Sequence, residues 1–228
     1  MNTPLVAAKN LHKSFYTDHL EVPAIRGLDF ELSAGEFATL VGPSGSGKTT
    51  LLNLIGGLDV PTGGELQVLG NNLPRLTREQ RAELRLRSLG FVFQAYNLVP
   101  VLTVRENVEF ILELQGAGAD RFAHAQQVLE TLGLADLAKR FPKELSGGQQ
   151  QRVAVARAIA SNPRLVLADE PTANLDHANA EVLMQLMRRL HDERGMTFLF
   201  STHDPRVMQH ATRIITLSDG KITDEKSN

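Results

Sequence analysis

Short apolar runs recur along the chain, and several are uninterrupted, as in Leu165-Val166-Leu167-Ala168. Strand-length segments are expected near Leu5 to Ala8, Leu28 to Leu32, Phe37 to Val41, Glu65 to Leu69, Phe91 to Phe93, Leu165 to Ala168, Thr197 to Phe200 and Arg213 to Leu217. A strand apolar on both faces has to be covered on both faces. Such strands alternating with helix-length segments therefore predict an α/β fold with a mainly parallel sheet. Leu28 to Leu32 and Glu65 to Leu69 alternate apolar with polar residues instead, the pattern of a smaller antiparallel sheet with one wet face. From Thr103 to Ser161 the period becomes helical, with Val104, Val108, Ile111 and Leu112 on one stripe and Val128, Leu129 and Leu132 on another. Gly116 to Ala119 breaks that run.

The expected organisation is a single domain spanning 1–228. Residues 1–93 and 162–218 form the α/β core with its antiparallel part, 94–161 form a helical insertion, and 219–228 form a polar tail. No repeat or low-complexity linker interrupts it.

Composition narrows the chemistry. The chain has 228 residues, long enough to bury a substantial core without staples. It contains no cysteine, which removes disulfides, thiolate metal sites and a thiol nucleophile. The absence of disulfides fits a reducing compartment such as the cytoplasm. A net charge of −2 gives no electrostatic reason to expect nucleic acid as a partner. Met1-Asn2-Thr3-Pro4 lacks the basic and apolar segments of a signal peptide, and no run approaches the length needed to cross a bilayer. If the protein works at a membrane, another subunit is expected to span it.

Between the strand ending at Val41 and the apolar segment Leu51 to Ile55 lies Gly42-Pro43-Ser44-Gly45-Ser46-Gly47-Lys48-Thr49, followed by Thr50. Glycines at this spacing let backbone N–H groups fold round a phosphate, and the following helix N-terminus adds positive potential. Lys48 can reach the β and γ phosphates, and the Thr49 hydroxyl can ligate Mg²⁺. Further along, a buried strand ends in Asp169-Glu170, two carboxylates at the edge where α/β folds bind ligands. Asp169 suits Mg²⁺ held through water. Glu170, one residue further out, suits a base that deprotonates the attacking water.

Leu145-Ser146-Gly147-Gly148-Gln149 then opens a helical stretch, a run expected by chance in about one such chain in several thousand. Ser146 can cap that helix while the glycines expose backbone N–H groups, which makes a second anion site. Two such helix starts mean either two phosphates in one chain or pairing with another copy.

Taken together these motifs resemble the nucleotide-binding subunits of ATP-binding cassette (ABC) transporters, over nearly the whole chain. The resemblance implies that ATP is sandwiched between two subunits, with Ser146, Gly147, Gly148, Gln149 and Asp176 of one completing the site held by Lys48 of the other. It implies that Gln94 lies near Mg²⁺ and the attacking water, and that His203 contacts the γ-phosphate. In the slot of the family's adenine-stacking aromatic stand Phe15 and, next to it, Tyr16; the alternative for each is an aromatic covering a sheet edge. The runs Phe91 to Pro100, Glu106-Asn107-Val108, Gln149 to Arg152, Leu167 to Asp176 and Tyr16 to Arg26 look like the branch serving lipoprotein release, macrolide and peptide export and the related cell-division complex. That branch implies a separate permease and a place on the cytoplasmic face of the inner membrane. Docking is expected near Tyr96 to Leu102, an apolar loop cluster that otherwise folds under as core. Soluble cassette ATPases of repair or translation and a non-hydrolysing regulator are the competing classes. The first carry insertions or a second cassette that are absent here, and the last would lack Glu170 or Ser146.

Overall fold

The computed structural model describes residues 3–17 and 20–227. Met1, Asn2, Asp18, His19 and Asn228 lie outside the described residues, and with them part of the N-terminal reading and of the Tyr16 to Arg26 segment.

Two sheets share the molecule. The smaller has the order β2-β1-β4-β5, from Leu20–Leu32, Val6–Thr17, Gly63–Val68 and Asn71–Asn72, and every pairing is antiparallel. The larger has the order β10-β9-β3-β8-β7-β6, from Lys221–Ser227, Arg213–Ser218, Phe37–Val41, Thr197–Ser201, Leu165–Asp169 and Leu89–Val92. Its β9, β3, β8, β7 and β6 run parallel.

The parallel strands explain their own apolar runs. Along β7, Leu165 and Leu167 point into one core cluster, while Val166 and Ala168 point into the other. In β8, Leu199 joins the first of these, and Phe198 and Phe200 join the second. Helix α1, Lys48–Ile55, fills the space between the sheets with Leu51, Leu52, Leu54 and Ile55. Four helices build the opposite cluster or flank it: α3 Val104–Leu114, α4 Arg121–Thr131, α5 Gly147–Ile159 and α6 His177–Arg194. Strand β2 shows the wet face expected of the small sheet, with Leu28, Phe30 and Leu32 buried and Asp29 and Glu31 exposed.

Several elements differ from the sequence expectation. Strand β1 runs to Thr17 rather than stopping at Ala8, because irregular pairing near Asn10, whose φ is +46°, breaks the alternation that would have revealed it. Helix α2, Arg78–Ser88, has no buried residue and hence no apolar stripe; the Thr77–Gln80 capping box marks its start. The break between α3 and α4 falls at the expected glycine segment.

The polar tail expected over 219–228 is instead a turn and a strand over residues 219–227, Asn228 lying outside the described residues. β10 closes the parallel sheet as an antiparallel edge, and its polar composition is what an exposed edge strand requires. The Asp219-Gly220 turn, with φ of +49° and +74°, ties this edge to the phosphate loop: Gly220 N–H donates to the Ser46 carbonyl at 3.0 Å and the Gly220 carbonyl accepts from Arg26 N–H at 2.9 Å. A Cβ on Gly220 would stand 2.6 Å from the Ala24 carbonyl oxygen. Gly220→Ala is therefore expected to cost about 1–3 kcal/mol, which lowers the melting temperature by about 2–4 °C per kcal/mol. Nucleotide affinity should fall alongside, since the turn braces Ser46; unchanged melting and binding would show that the turn relaxes freely.

Candidate active site

The carboxyl ends of the parallel strands gather the site. The loop from Gly42 to Thr50 curls between β3 and α1 and, with Ala24, Gln94, Glu170, Ala173 and His203, lines a cavity of about 600 Å³. The loop cannot be built from other residues at two of its glycines. Gly42 has φ +146° and its Cβ would fall 2.1 Å from the Leu217 carbonyl oxygen; Gly47 has φ +105° and its Cβ would meet the Ala24 carbonyl oxygen at 2.8 Å. The Lys48 ammonium donates to the Gly42 and Pro43 carbonyls at 2.8 and 3.0 Å. The buried Ser46 Oγ has no hydrogen-bond partner. An unpartnered hydroxyl and a cation within a ring of glycine backbone are suited to a phosphate group.

Thr49 Oγ1 donates to Asp169 Oδ2 at 2.8 Å, which joins the start of α1 to the end of β7. Ser201 Oγ donates to the other carboxylate oxygen, Asp169 Oδ1, at 2.6 Å. The Glu170 carboxylate meets His203 Nδ1 at 3.0 Å from each oxygen, and the Glu170 backbone is left-handed with φ +46°. Beyond His203, a short helix α7, Pro205–Met208, is capped by Asp204. The Asp204 carboxyl is held at about 2, chiefly by the hydrogen bond from Arg206.

Behind Gln94 the chain is gripped from three sides. Asn174 Nδ2 donates to the Gln94 carbonyl at 2.8 Å. Tyr96 and Asn97 both take positive φ, and their carbonyls accept from the Arg157 guanidinium, which reaches across from α5; the contact to Tyr96 is 3.0 Å. Burial pushes the Arg157 pKa below the usual guanidinium range. The fully buried Asn107 accepts from Val99 N–H at 2.8 Å and reaches the Val99, Leu102 and Thr103 carbonyls at 3.2, 3.0 and 2.9 Å.

The expected site residues thus fall into three groups. Gly42 through Thr50, Gln94, Glu170 and His203 line one cavity, with Asp169 one hydrogen bond away through Thr49. Ser146, Gly147, Gly148, Gln149 and Asp176 do not line it. Ser146 and Gln149 instead form a reciprocal capping box at the start of α5, and Asp176 caps α6 through Asn179. The hydrogen bonds from the Asn179 backbone and side chain hold the Asp176 carboxyl below the usual carboxylate range. Gly148 packs against Asn179 so closely that a Cβ would lie 2.5 Å from its Oδ1.

Phe15 does not line the cavity either. Its ring sits on β1, 42% exposed, beneath the Lys13 ammonium at 4.9 Å, while Tyr16 is 71% exposed. Sequence reasoning passed over Ala24, Ser201, Arg157 and Gly220. Each acts through a contact to a distant part of the chain, and only Gly220, beside Asp219, carried a local turn signal.

A strand-loop-helix phosphate cradle, paired carboxylates two strands over, and a second capped helix start define an ATP-binding cassette, and the chain belongs to the ABC transporter family, whose sequence pattern matches residues 25–173. Among curated relatives, the lipoprotein-releasing system ATP-binding protein LolD of Anaeromyxobacter dehalogenans is 46% identical over 96% of this chain and 93% of its own length. The macrolide export ATP-binding/permease protein MacB of Syntrophobacter fumaroxidans is 44% identical over 97% of this chain, which spans 31% of that longer protein. Among solved structures, the ATP-binding cassette MJ0796 of Methanocaldococcus jannaschii, a dimer in a post-hydrolysis state bound to ADP and phosphate, superposes with a TM-score of 0.91 at 41% identity, covering 97% of this chain and 98% of that one.

Asn107 is the internal pin of the loop that follows Gln94. Asn107→Ala is expected to cost about 1–3 kcal/mol by leaving buried backbone groups unpaired. Amide exchange at Val99 should accelerate more than in β7 or β8; equal change throughout would show that Asn107 only contributes to global stability.

Proposed function

We propose that this chain hydrolyses ATP as one of a pair of identical subunits and powers a separate membrane permease, in the work of export, lipoprotein or lipid extraction, or transmission of force. The observation that carries this reading is the division of the motifs. The phosphate loop, Glu170, Gln94 and His203 converge on one cavity, whereas the Ser146–Gln149 helix start lies outside it, free to meet a nucleotide held by another copy. The dimer of the MJ0796 cassette supports that arrangement.

In this reading the loop amides and Lys48 bind the phosphates. Thr49 and Asp169 offer a hydroxyl and a carboxylate, hard oxygen donors that fit Mg²⁺, with Asp169 acting through water and Gln94 near by. Mg²⁺, when bound, neutralises charge on the phosphate oxygens. Among the described residues no cluster of three or more His, Cys, Asp or Glu side chains could cage a metal, which suits a cation held largely by substrate and water. Glu170 takes a proton from water as the water oxygen bonds to the γ-phosphorus; the bond to the β–γ bridging oxygen breaks, leaving ADP and phosphate. His203 orients the Glu170 carboxylate and reaches toward the γ-phosphate. Phe15 is the aromatic proposed to stack on adenine.

The permease contact falls on the loop after Gln94. That cluster is divided in the structure: Leu98 packs on the core, while Val99 faces an apolar groove of about 340 Å³ whose walls include Leu58, Phe91, Phe93, Phe110 and Ile111. No helix among the described residues is long and apolar enough to cross a membrane. A peripheral place on the cytoplasmic face is supported by the likeness to an ATP-binding subunit of a lipoprotein-releasing system.

Glu170→Gln is expected to reduce steady-state phosphate release by roughly 10²- to 10⁴-fold while ATP still binds and drives dimerisation, seen by size-exclusion chromatography. Retained turnover would remove Glu170 as the base. Val99→Asp should leave hydrolysis by the isolated subunit intact and abolish co-purification with the membrane subunit, because an unpaired carboxylate in an apolar contact is costly. If Val99→Asp still co-purifies with the permease, the groove is not the docking site.

A further inference from the structure

Asp169 and Ser201 are the last residues of adjacent parallel strands and stand in register across the sheet. Ser201 is fully buried, and its hydroxyl makes two bonds. It donates to Asp169 Oδ1 at 2.6 Å and accepts from the Glu170 backbone N–H at 2.9 Å. Chemistry fixes both directions: an ionised carboxylate can only accept and an amide N–H can only donate, so the one hydroxyl proton goes to Asp169.

The same short segment holds Glu170 at its other end. Two residues on, His203 Nδ1 lies 3.0 Å from both oxygens of the Glu170 carboxylate. Between them Thr202 N–H donates to the Leu40 carbonyl at 3.1 Å, which anchors the segment to β3. Glu170 is thereby fixed by its amide from Ser201 and by its carboxylate from His203. Its φ of +46° is a conformation that a non-glycine residue keeps only where its surroundings over-determine it. The sheet does not need the hydroxyl, since the main-chain ladder already pairs Ala168 with Phe200 and Asp169 with Ser201.

We infer that Ser201 is a positioning residue for hydrolysis, its one hydroxyl setting the orientation of Asp169 toward the cation and of Glu170 toward the attacking water. This rests on the roles proposed above for those two carboxylates. An apolar side chain at position 201 would leave an Asp169 oxygen and the Glu170 amide without their partner. Asp169 would then be held through Thr49 alone and Glu170 through His203 alone, with no side chain joining the two.

The test uses Ser201→Ala and Ser201→Thr in the full chain, with thermal melting, kcat and KM for ATP, and the affinity of a fluorescent ADP analogue measured with and without Mg²⁺. In Ser201→Ala, kcat should fall roughly 10- to 100-fold, in line with the loss of a partner that orients a metal ligand. KM and the Mg²⁺-free ADP affinity should stay close to the parent values. The Mg²⁺ concentration that gives half of the Mg²⁺-dependent gain in affinity should rise, and Ser201→Thr, which keeps the hydroxyl, should recover most of both effects. An alanine variant with parental kcat and Mg²⁺ dependence would overturn the inference. So would equal loss of binding with and without Mg²⁺ accompanied by a lower melting temperature, which would make Ser201 a structural residue only. The ADP measurement separates this inference from the assignment of the base: turnover surviving in Glu170→Gln removes Glu170 as the base, whereas a Mg²⁺ shift in Ser201→Ala reports on Asp169 whatever removes the proton.

Discussion

The hydrogen bond from Thr49 Oγ1 to Asp169 Oδ2 joins the first turn of α1 to the tip of β7, and the arrangement of the site follows from that junction. α1 can meet β7 there only because the central strands are parallel and end at one edge of the sheet. Parallel strands need cover on both faces, and the two core clusters supply it. The apolar side chains of β3, β7 and β8 thus do more than fill space. They fix the height of the strand ends, and so the heights of the phosphate loop, Asp169, Glu170 and His203 relative to one another.

The nucleotide cavity is connected to the rest of the molecule by contacts of a different kind. Around Gln94 the backbone adopts left-handed turns at Tyr96 and Asn97, stabilised by a half-buried guanidinium from α5, by Asn174 and, slightly further along, by Asn107. The Tyr96 hydroxyl also lies 2.9 Å from where a Cβ on Gly147 would be, so the loop leans on the very start of α5. Through these contacts the segment that reaches into the cavity, the apolar groove beside Val99 and the Ser146 helix start belong to one packed unit.

The second helix start shows how one local motif serves two ends. Ser146 and Gln149 satisfy each other's backbone in a capping box, which stabilises α5 in the single chain. Gly148 meanwhile lets Asn179 and the Asp176 cap approach α5, so both caps present their edges side by side. An alanine there would push Asn179 away and with it the neighbouring helix start.

The sequence by itself determined the fold class, the phosphate loop, the two carboxylates and the second helix start, because each depends on residues adjacent in the chain. Apolar runs report burial on both faces, and glycine spacing reports a backbone that has to turn tightly. The sequence did not disclose β1 beyond its irregular pairing at Asn10, α2, which has no fully buried residue, or β10, whose polar residues read as a tail but pair with β9. Those elements are held by partners elsewhere, not by a pattern of their own. Nor could it show that Ser201 lies between Asp169 and Glu170, that Arg157 holds the carbonyls behind Gln94, or that Leu98 turns inward while Val99 faces the groove. A serine at the end of a strand and an arginine within a helix look like many others along a chain. Their roles arise from hydrogen bonds spanning 31 to 61 residues, and only the packing of the sheet and helices brings such distant groups into reach.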